Sequence, residues 1–222
     1  MAKDLAIILS NGSLESCVAA SLAAQKYRTV MMNVITGAGN GAGARTAYDQ
    51  QVAHFKPYRE HTLNMAFFAA IGKDTAAGLS DPRVNSGVGE KLLDLVPIVA
   101  VAARFAAHYQ AAAVYLGLRV GPGMDELAQA SEFVSIWNEM LQMPCRQGEL
   151  EILTPLLELE EWQVVEVGFQ VSAPMEKSWS CSEDSAEPCG TCRGCRQREA
   201  AFVQAGRPDP RTPPADSRSR GR

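Results

Sequence analysis

The sequence carries no strong charge of either sign and is short of histidine and aromatic residues. Across 222 residues, 25 acids face 21 bases, histidine occurs three times, and Phe, Trp and Tyr make up 7%. A formal charge of −4 gives no global attraction toward polyanions, so nucleic acid is not expected as a partner. His54, His61 and His108 have no ligand-like or nucleophile-like neighbour in sequence and are read as structural. A clean membrane-spanning run is also missing. The stretch from Leu92 to Leu118 is interrupted by Asp94, Pro97, Arg104, His108 and Gln110, which suits the core helix of a soluble protein, and no membrane partner is expected. Met1-Ala2-Lys3-Asp4 places an acid where a secretion signal needs a basic start, so the expected location is the cytoplasm.

What is present is ordinary globular composition, 46% hydrophobic and 21% charged, in a length that allows one full core. Leu5–Leu9 is a short continuous apolar run that meets Ser10-Asn11-Gly12-Ser13 and passes into the Ala-rich stretch Leu14–Lys26, which reads as strand, tight loop and helix. A second apolar run, Thr29–Thr36, ends in the glycine-rich segment Gly37–Gly43 and is followed by helical composition over Ala44–Phe55. Two consecutive strand-to-helix units predict a parallel sheet. Gly72–Gly89 is small and polar and reads as a surface excursion. A helix is expected from Leu92 or Pro97 to Gln110, with Pro97 tolerable only near its first turn. The remaining expectations are a buried strand over Ala113–Gly117, an amphipathic helix over Met124–Met143, a strand from Glu151 stopped by Pro155, and helices over Glu160–Gly168 and Arg196–Val203. Gly206–Arg222, rich in Pro, Arg, Ser and Asp, reads as a disordered basic tail.

Four of the six cysteines, Cys181, Cys189, Cys192 and Cys195, fall in the pattern C-x7-C-x2-C-x2-C. They supply four soft thiolates, the number a closed tetrahedral zinc site needs, and such a site leaves no open position for catalysis. Zinc is therefore expected to be structural. An iron–sulfur cluster is the main metal alternative, and two disulfides or four free thiols are the non-metal ones. Gly190 and Gly194 each occupy an x2 gap, where a turn with positive φ would favour glycine.

Two loops are candidates for anion binding. In Asn11-Gly12-Ser13-Leu14-Glu15-Ser16, backbone amides and the hydroxyls of Ser10, Ser13 and Ser16 sit where strand becomes helix. A simple turn with Ser13 as N-cap is the equally good alternative. Gly39-Asn40-Gly41-Ala42-Gly43-Ala44 satisfies the G-x-G-x-x-A dinucleotide fingerprint, with Glu60 near the offset of the ribose-binding acid. It does not follow the first strand, however, so a dinucleotide-binding Rossmann protein is kept as the weaker reading.

The string Trp179-Ser180-Cys181 followed by Cys189-Gly190-Thr191-Cys192-Arg193-Gly194-Cys195-Arg196 and Ala201-Phe202 resembles the end of the 7-cyano-7-deazaguanine synthase (QueC) family, in which such a pattern holds zinc. Leu153-Thr154-Pro155-Leu156 is similar to that family's T-P-L strand end, and Asn11–Ser16 resembles an altered S-G-G-x-D-S pyrophosphatase loop. The resemblance implies a doubly wound α/β fold of the adenine-nucleotide α-hydrolase type. It divides the chain into a nucleotide-hydrolase-like domain over 1–175, a zinc-binding segment over 176–205 and a tail over 206–222. It also implies ATP phosphates and Mg2+ on the first loop, with Ser10, Asn11, Gly12, Ser13, Glu15 and Ser16 as the nucleotide-binding set. Members adenylate the carboxylate of 7-carboxy-7-deazaguanine, and ammonia then gives the amide and, after a second activation, the nitrile.

Several positions depart from the family pattern. Asn11 replaces the first serine of the loop, Ser13 the second glycine and Glu15 the aspartate. Lys91-Leu92-Leu93-Asp94-Leu95 stands where a V-P-G-R-N substrate motif belongs, and Glu161 falls near the family's lysine, an inverted charge. No catalytic residue is assigned. The sequence therefore supports two expectations: a divergent ATP-dependent ligase, or a zinc-stabilised pseudoenzyme acting through its surface as a homo-oligomer or as a partner of another protein.

Overall fold

The computed structural model describes residues 4–37, 41–68 and 87–211. Five strands, β1 (Leu5–Leu9), β2 (Arg28–Ile35), β3 (Arg59–Asn64), β4 (Ala113–Leu116) and β5 (Glu151–Leu153), form one sheet in the order β3-β2-β1-β4-β5. Every pairing is parallel, with Ile7 beside both Val30 and Val114. The helices between them are α1 (Leu14–Lys26), α2 (Ala42–Phe55), α3 (Gly87–Tyr109) and α4 (Met124–Gln142), and α5 (Glu161–Gln170) follows β5. A 3-10 turn (Met175–Lys177) and α6 (Arg193–Gln204) complete the described elements. This is the doubly wound α/β fold expected from the sequence.

The alternation of a strand explains why short, wholly apolar strands are buried on both sides. Ile7, Leu9, Val30, Met32, Val114 and Leu116 face a layer that includes Val99, Ala102 and Ala106 of α3. Ala6, Ile8, Met31 and Tyr115 face the opposite layer with Ala20 of α1 and Tyr48 of α2. A further cluster joins Val18 and Ala19 of α1 to Val164 and Val165 of α5 and Phe202 of α6. The C-terminal segment thus docks on the same core as the domain before it.

The chain runs outward from β1 through β2 to β3, then returns to place β4 on the other side of β1. That reversal opens a crevice at the carboxyl ends of β1 and β4, where open α/β sheets receive ligands.

The elements differ from the sequence expectation in three ways. Pro57-Tyr58-Arg59-Glu60-His61 reads as a polar stretch, yet Arg59–Asn64 forms β3. Its ladder to β2 is made by backbone groups, and an edge position tolerates polar side chains. Helix α3 runs through Pro97 instead of starting there. Burial of Val88 and Leu92 on its first turns offsets the missing N–H, a defect of about 3 kcal/mol. Helix α6 begins at Arg193, because the Cys192 thiol, its N-cap, accepts from Cys195 N.

Helix α3 is long and apolar enough to cross a membrane by length and composition, and it packs its Leu92, Val99, Ala102 and Ala106 face into the core. Residues Gly206–Arg211 fold back on the domain. Arg198 holds both oxygens of Asp209 at 2.6 and 2.9 Å, and the Arg211 guanidinium lies 4.6 Å from the centre of the Trp179 ring. The rest of the tail and most of the 72–89 excursion lie outside the described residues.

Candidate functional site at the carboxyl ends of β1 and β4

The turn after β1 is set by Gly12, whose φ is +84° and whose missing Cβ would lie 2.4 Å from Ala44 O. No other residue fits there. Around it the loop satisfies its own donors. Gly12 N donates to Ser10 Oγ (3.3 Å), Ser13 N to Asn11 Oδ1 (3.1 Å) and Ser16 N to Ser13 Oγ (3.2 Å). Ser13 is the N-cap of α1, and two of the three departures from the family loop, Asn11 and Ser13, supply side chains that fill two of these amides, with Ser10 filling the third. A phosphate at these three amides would have to displace those bonds.

Gln51 fixes the loop from behind. It is fully buried, accepts from Ser10 Oγ at 3.1 Å, and donates through Nε2 to Gly12 O and Lys177 O, each at 3.1 Å. Trp179 N also donates to Gly12 O, at 2.8 Å. Sequence reasoning missed Gln51, although it continues the buried stripe Ala44, Ala47, Tyr48 at helical spacing. A lone amide on such a stripe signals a fixed polar contact.

In front of the loop, a cleft of about 290 Å3 is lined by Ser10, Asn11, Ser13 and Ser16 on one side and mainly by Met32, Val34, Leu95, Ile98, Leu116 and Leu118 on the other, with Lys91 and Asp94 also bordering it. The expected nucleotide-binding residues therefore share one mouth, except Gly12, which sets the turn, and Glu15, which faces a neighbouring cleft. Arg119 reaches toward Glu15, with Nε 3.9 Å from its carboxylate, and its Nη2 donates to Glu161 Oε1 at 2.6 Å. Glu161, the inverted charge, is thus answered by an arginine from the end of β4, a pairing that sequence reasoning did not find.

The four cysteines converge. Their sulfurs lie within 4.8 Å of one another, all are unbridged, and Cys192 Sγ is 3.8 Å from Cys181 Sγ. Tetrahedral geometry with metal–sulfur bonds of about 2.3 Å gives an edge of about 3.8 Å, so the donor set fits a single metal ion. Backbone amides aim at the sulfurs: Cys189 N at Cys181, Cys192 N at Cys189, and Ser182 N and Cys195 N at Cys192, all at 3.3 to 3.4 Å. Donation from Ser182 and Cys195 pulls the Cys192 thiol down to about 6. Cys189 is lowered by the amides of Thr191 and Cys192, while desolvation pushes Cys195 up to about 12. Both gap glycines are required, for different reasons. Gly190 has φ +74°, as expected, whereas Gly194 is helical and is required because a Cβ there would lie 1.9 Å from Ser180 O.

The knuckle also closes the second glycine loop. Asp184 Oδ1 accepts from Ala42 N at 2.8 Å, and Gly43 lies against the Trp179 ring. A carboxylate thus occupies the first turn of α2, where a dinucleotide pyrophosphate would sit, and Glu60 lies inside β3 instead of at a strand end. The Rossmann reading is therefore set aside for Gly41–Ala44; Gly39 and Asn40 lie outside the described residues.

Comparison with known proteins agrees with this architecture. Two curated relatives are named 7-cyano-7-deazaguanine synthase. The one from Koribacter versatilis is 26% identical over 216 residues, covering 92% of this chain and 91% of the relative. The one from Chlorobium chlorochromatii is 25% identical over 214 residues, covering 92% and 94%. Among solved structures, an NMN synthetase from Francisella tularensis superposes with a TM-score of 0.50 at 17% identity, covering 93% of this chain and 79% of that one, a likeness of fold. Residues 5–206 match the family described as "Queuosine biosynthesis protein QueC", and on that match, which spans both the altered loop and the four-cysteine knuckle, the chain belongs to the QueC family.

Proposed function

We propose that this protein is an ATP-using ligase of the 7-deazaguanine type. In this reading it adenylates a carboxylate such as that of 7-carboxy-7-deazaguanine, with release of pyrophosphate, and ammonia then attacks the acyl carbon to give the amide as AMP leaves. The observation that carries the proposal is the open cleft at the β1/β4 reversal, apolar on one wall and rimmed by Ser10, Asn11, Ser13 and Ser16. Its apolar wall suits a purine face, and the hydroxyl rim suits a sugar–phosphate. Mg2+ would accompany the phosphates and neutralise the leaving pyrophosphate. Ser10 and Ser16 position the loop, and Gln51 keeps it curled.

Zinc is the proposed occupant of the knuckle. A mononuclear ion needs the short sulfur–sulfur separations seen here, whereas a cluster whose cysteines bind different irons needs wider ones. Four thiolates close the coordination shell, so the metal would anchor Trp179 and α6 and take no part in the reaction. Thiol ligands fit a reducing compartment, the cytoplasm. Association with a second copy is part of this proposal, and sedimentation would read it.

One observation favours a second reading, a family member without turnover: the amides of Gly12, Ser13 and Ser16 already have partners. The test is common to both. Saturating ATP with Mg2+ should raise the melting temperature by roughly 5–10 °C at a hundred times the dissociation constant. Pyrophosphate should then appear when 7-carboxy-7-deazaguanine and ammonium are added. A shift without pyrophosphate would select the second reading, and no shift at millimolar ATP would remove the first.

A further inference from the structure

With three loop amides already engaged, positive charge for a phosphate chain has to come from side chains. The apolar cleft continues, through Asn11, Ser13, Lys91, Gly117 and Leu118, into a wider one of about 720 Å3 that is also bordered by Arg119 and Arg193. Lys91 and Arg193 are exposed, while the Arg119 side chain is only 19% exposed. Its Nη2 is bonded to Glu161, and its Nε meets Glu15 at 3.9 Å, too far for a hydrogen bond. That Nε is buried and has no acceptor among the described residues. Arg119 is therefore a guanidinium with one good bond and one buried donor, Nε, whose nearest carboxylate is only a long ion pair, and it is the least exposed of the three cations that border this cleft. Such a fork gains most from an anion that accepts two parallel bonds, as a phosphate does and as Glu15 and Glu161, on separate helices, do not.

Resting on the nucleotide reading above, we infer that Arg119 is the phosphate grip of this cleft, and that Glu15 and Glu161 hold it in reserve. Phosphate oxygens draw the guanidinium away from the two carboxylates, and the cost of breaking the Glu161 bond keeps ATP affinity down. Without Arg119, the phosphates would face the carboxylates of Glu15 and Glu161, with that of Glu126 on the same cleft.

The test uses the full-length, metal-loaded protein and calorimetric titration with ATP–Mg2+ and, separately, with adenosine. Arg119→Gln is expected to weaken ATP by about tenfold or more and to leave adenosine within about twofold. Glu161→Gln, which frees the guanidinium, is expected to tighten ATP several-fold. Arg119→Lys keeps the charge without the fork and should fall between wild type and Arg119→Gln. It decides the matter with Glu161→Gln if Arg119→Gln does not fold. A purely structural ion pair would shift both variants in the same direction and change adenosine along with ATP, and that outcome overturns the inference. Equal wild-type affinity for adenosine and ATP also overturns it while leaving the nucleoside cleft standing. Binding of neither overturns the proposed function, and the inference with it.

Discussion

The knuckle and the β1–α1 loop lie side by side, joined by Trp179 N to Gly12 O and by Gln51, yet they have met change in opposite ways. In the knuckle, backbone amides point at the sulfurs of Cys181, Cys189 and Cys192, and the four sulfurs converge on one point in space. In the loop, backbone amides point at the chain's own side chains, Ser10, Asn11 and Ser13. A ligand set built from side chains is kept or lost with residue identity. One built from amides can be filled by a neighbouring side chain while the backbone path is unchanged.

If the knuckle depends on its ion and the loop does not depend on a ligand, removing the metal should have the largest effect on stability. Stripping with a chelator, or Cys192→Ser, is expected to cost about 4 kcal/mol or more and to lower the melting temperature by roughly 10 °C. The Trp179 fluorescence environment should change in parallel, since its Nε1 donates to Cys181 O and its ring packs on Gly43. Metal analysis checks the identity of the ion: iron in place of zinc would replace the proposed occupant without changing the donor set. An unchanged melting temperature after complete metal loss would show that the knuckle is no more ion-dependent than the loop.

Next in size is Gln51→Leu, which acts on the junction between the two regions. It removes the donor to Lys177 O and the acceptor for Ser10 Oγ in a fully buried position, an expected loss of about 2–3 kcal/mol in urea unfolding. Gly12 O keeps its bond from Trp179 N, so the loop should loosen without releasing the knuckle. A matching fall in metal affinity would mean that the two regions are one cooperative unit.

How much of each region was legible in the sequence follows from the same contrast. The cysteine spacing announced the knuckle because four thiolates in fifteen positions have little else to do, and a parallel sheet followed from apolar strands alternating with helices, while its doubly wound order came from the family resemblance. Strand β3 was not legible, since its pairing uses backbone groups that every sequence has. Arg119 and Glu161 are 42 positions apart and meet only because β4 ends and α5 begins at one rim. The sequence also offered Ser13 equally as phosphate donor and as N-cap. Its rotamer, which sequence does not encode, makes it the cap here.

A third expectation concerns pH, and it sets Cys17 of α1 against Cys192 of the knuckle. Burial pushes the Cys17 thiol from 9.0 up to about 12, and Glu176 adds to the rise, whereas amide donors pull Cys192 down to about 6. For a thiol whose folded value is raised, the unfolded chain ionises first. Ionisation of Cys17 therefore has little effect on stability below pH 9, and stability falls as pH climbs from 9 toward 12. At pH 10 the expected difference is about 1.4 kcal/mol. Comparing Cys17→Ala with wild type between pH 8 and pH 10.5 isolates it, because the substitution should flatten that part of the curve. Equal slopes would mean that Cys17 is solvated in the native protein and would alkylate as readily as exposed Cys145.

The smallest change in stability comes with the most informative change in binding. Ser13→Gly removes the N-cap side chain, and because glycine is itself a fair N-cap, the expected cost is only a few tenths of a kcal/mol. It also frees Ser16 N and clears a Cβ from the phosphate side of the loop. If the loop is closed by its own side chains, ATP should bind several-fold more tightly to this variant, and more tightly still when Glu15→Asp shortens the neighbouring carboxylate. The Arg119 contribution should shrink in the same background, since the phosphates would regain amide donors and rely less on the guanidinium. If Ser13→Gly leaves ATP affinity unchanged, the amides were never the limiting donors, and the contrast between a kept knuckle and a filled loop would have to be drawn at Arg119 and Glu161 instead.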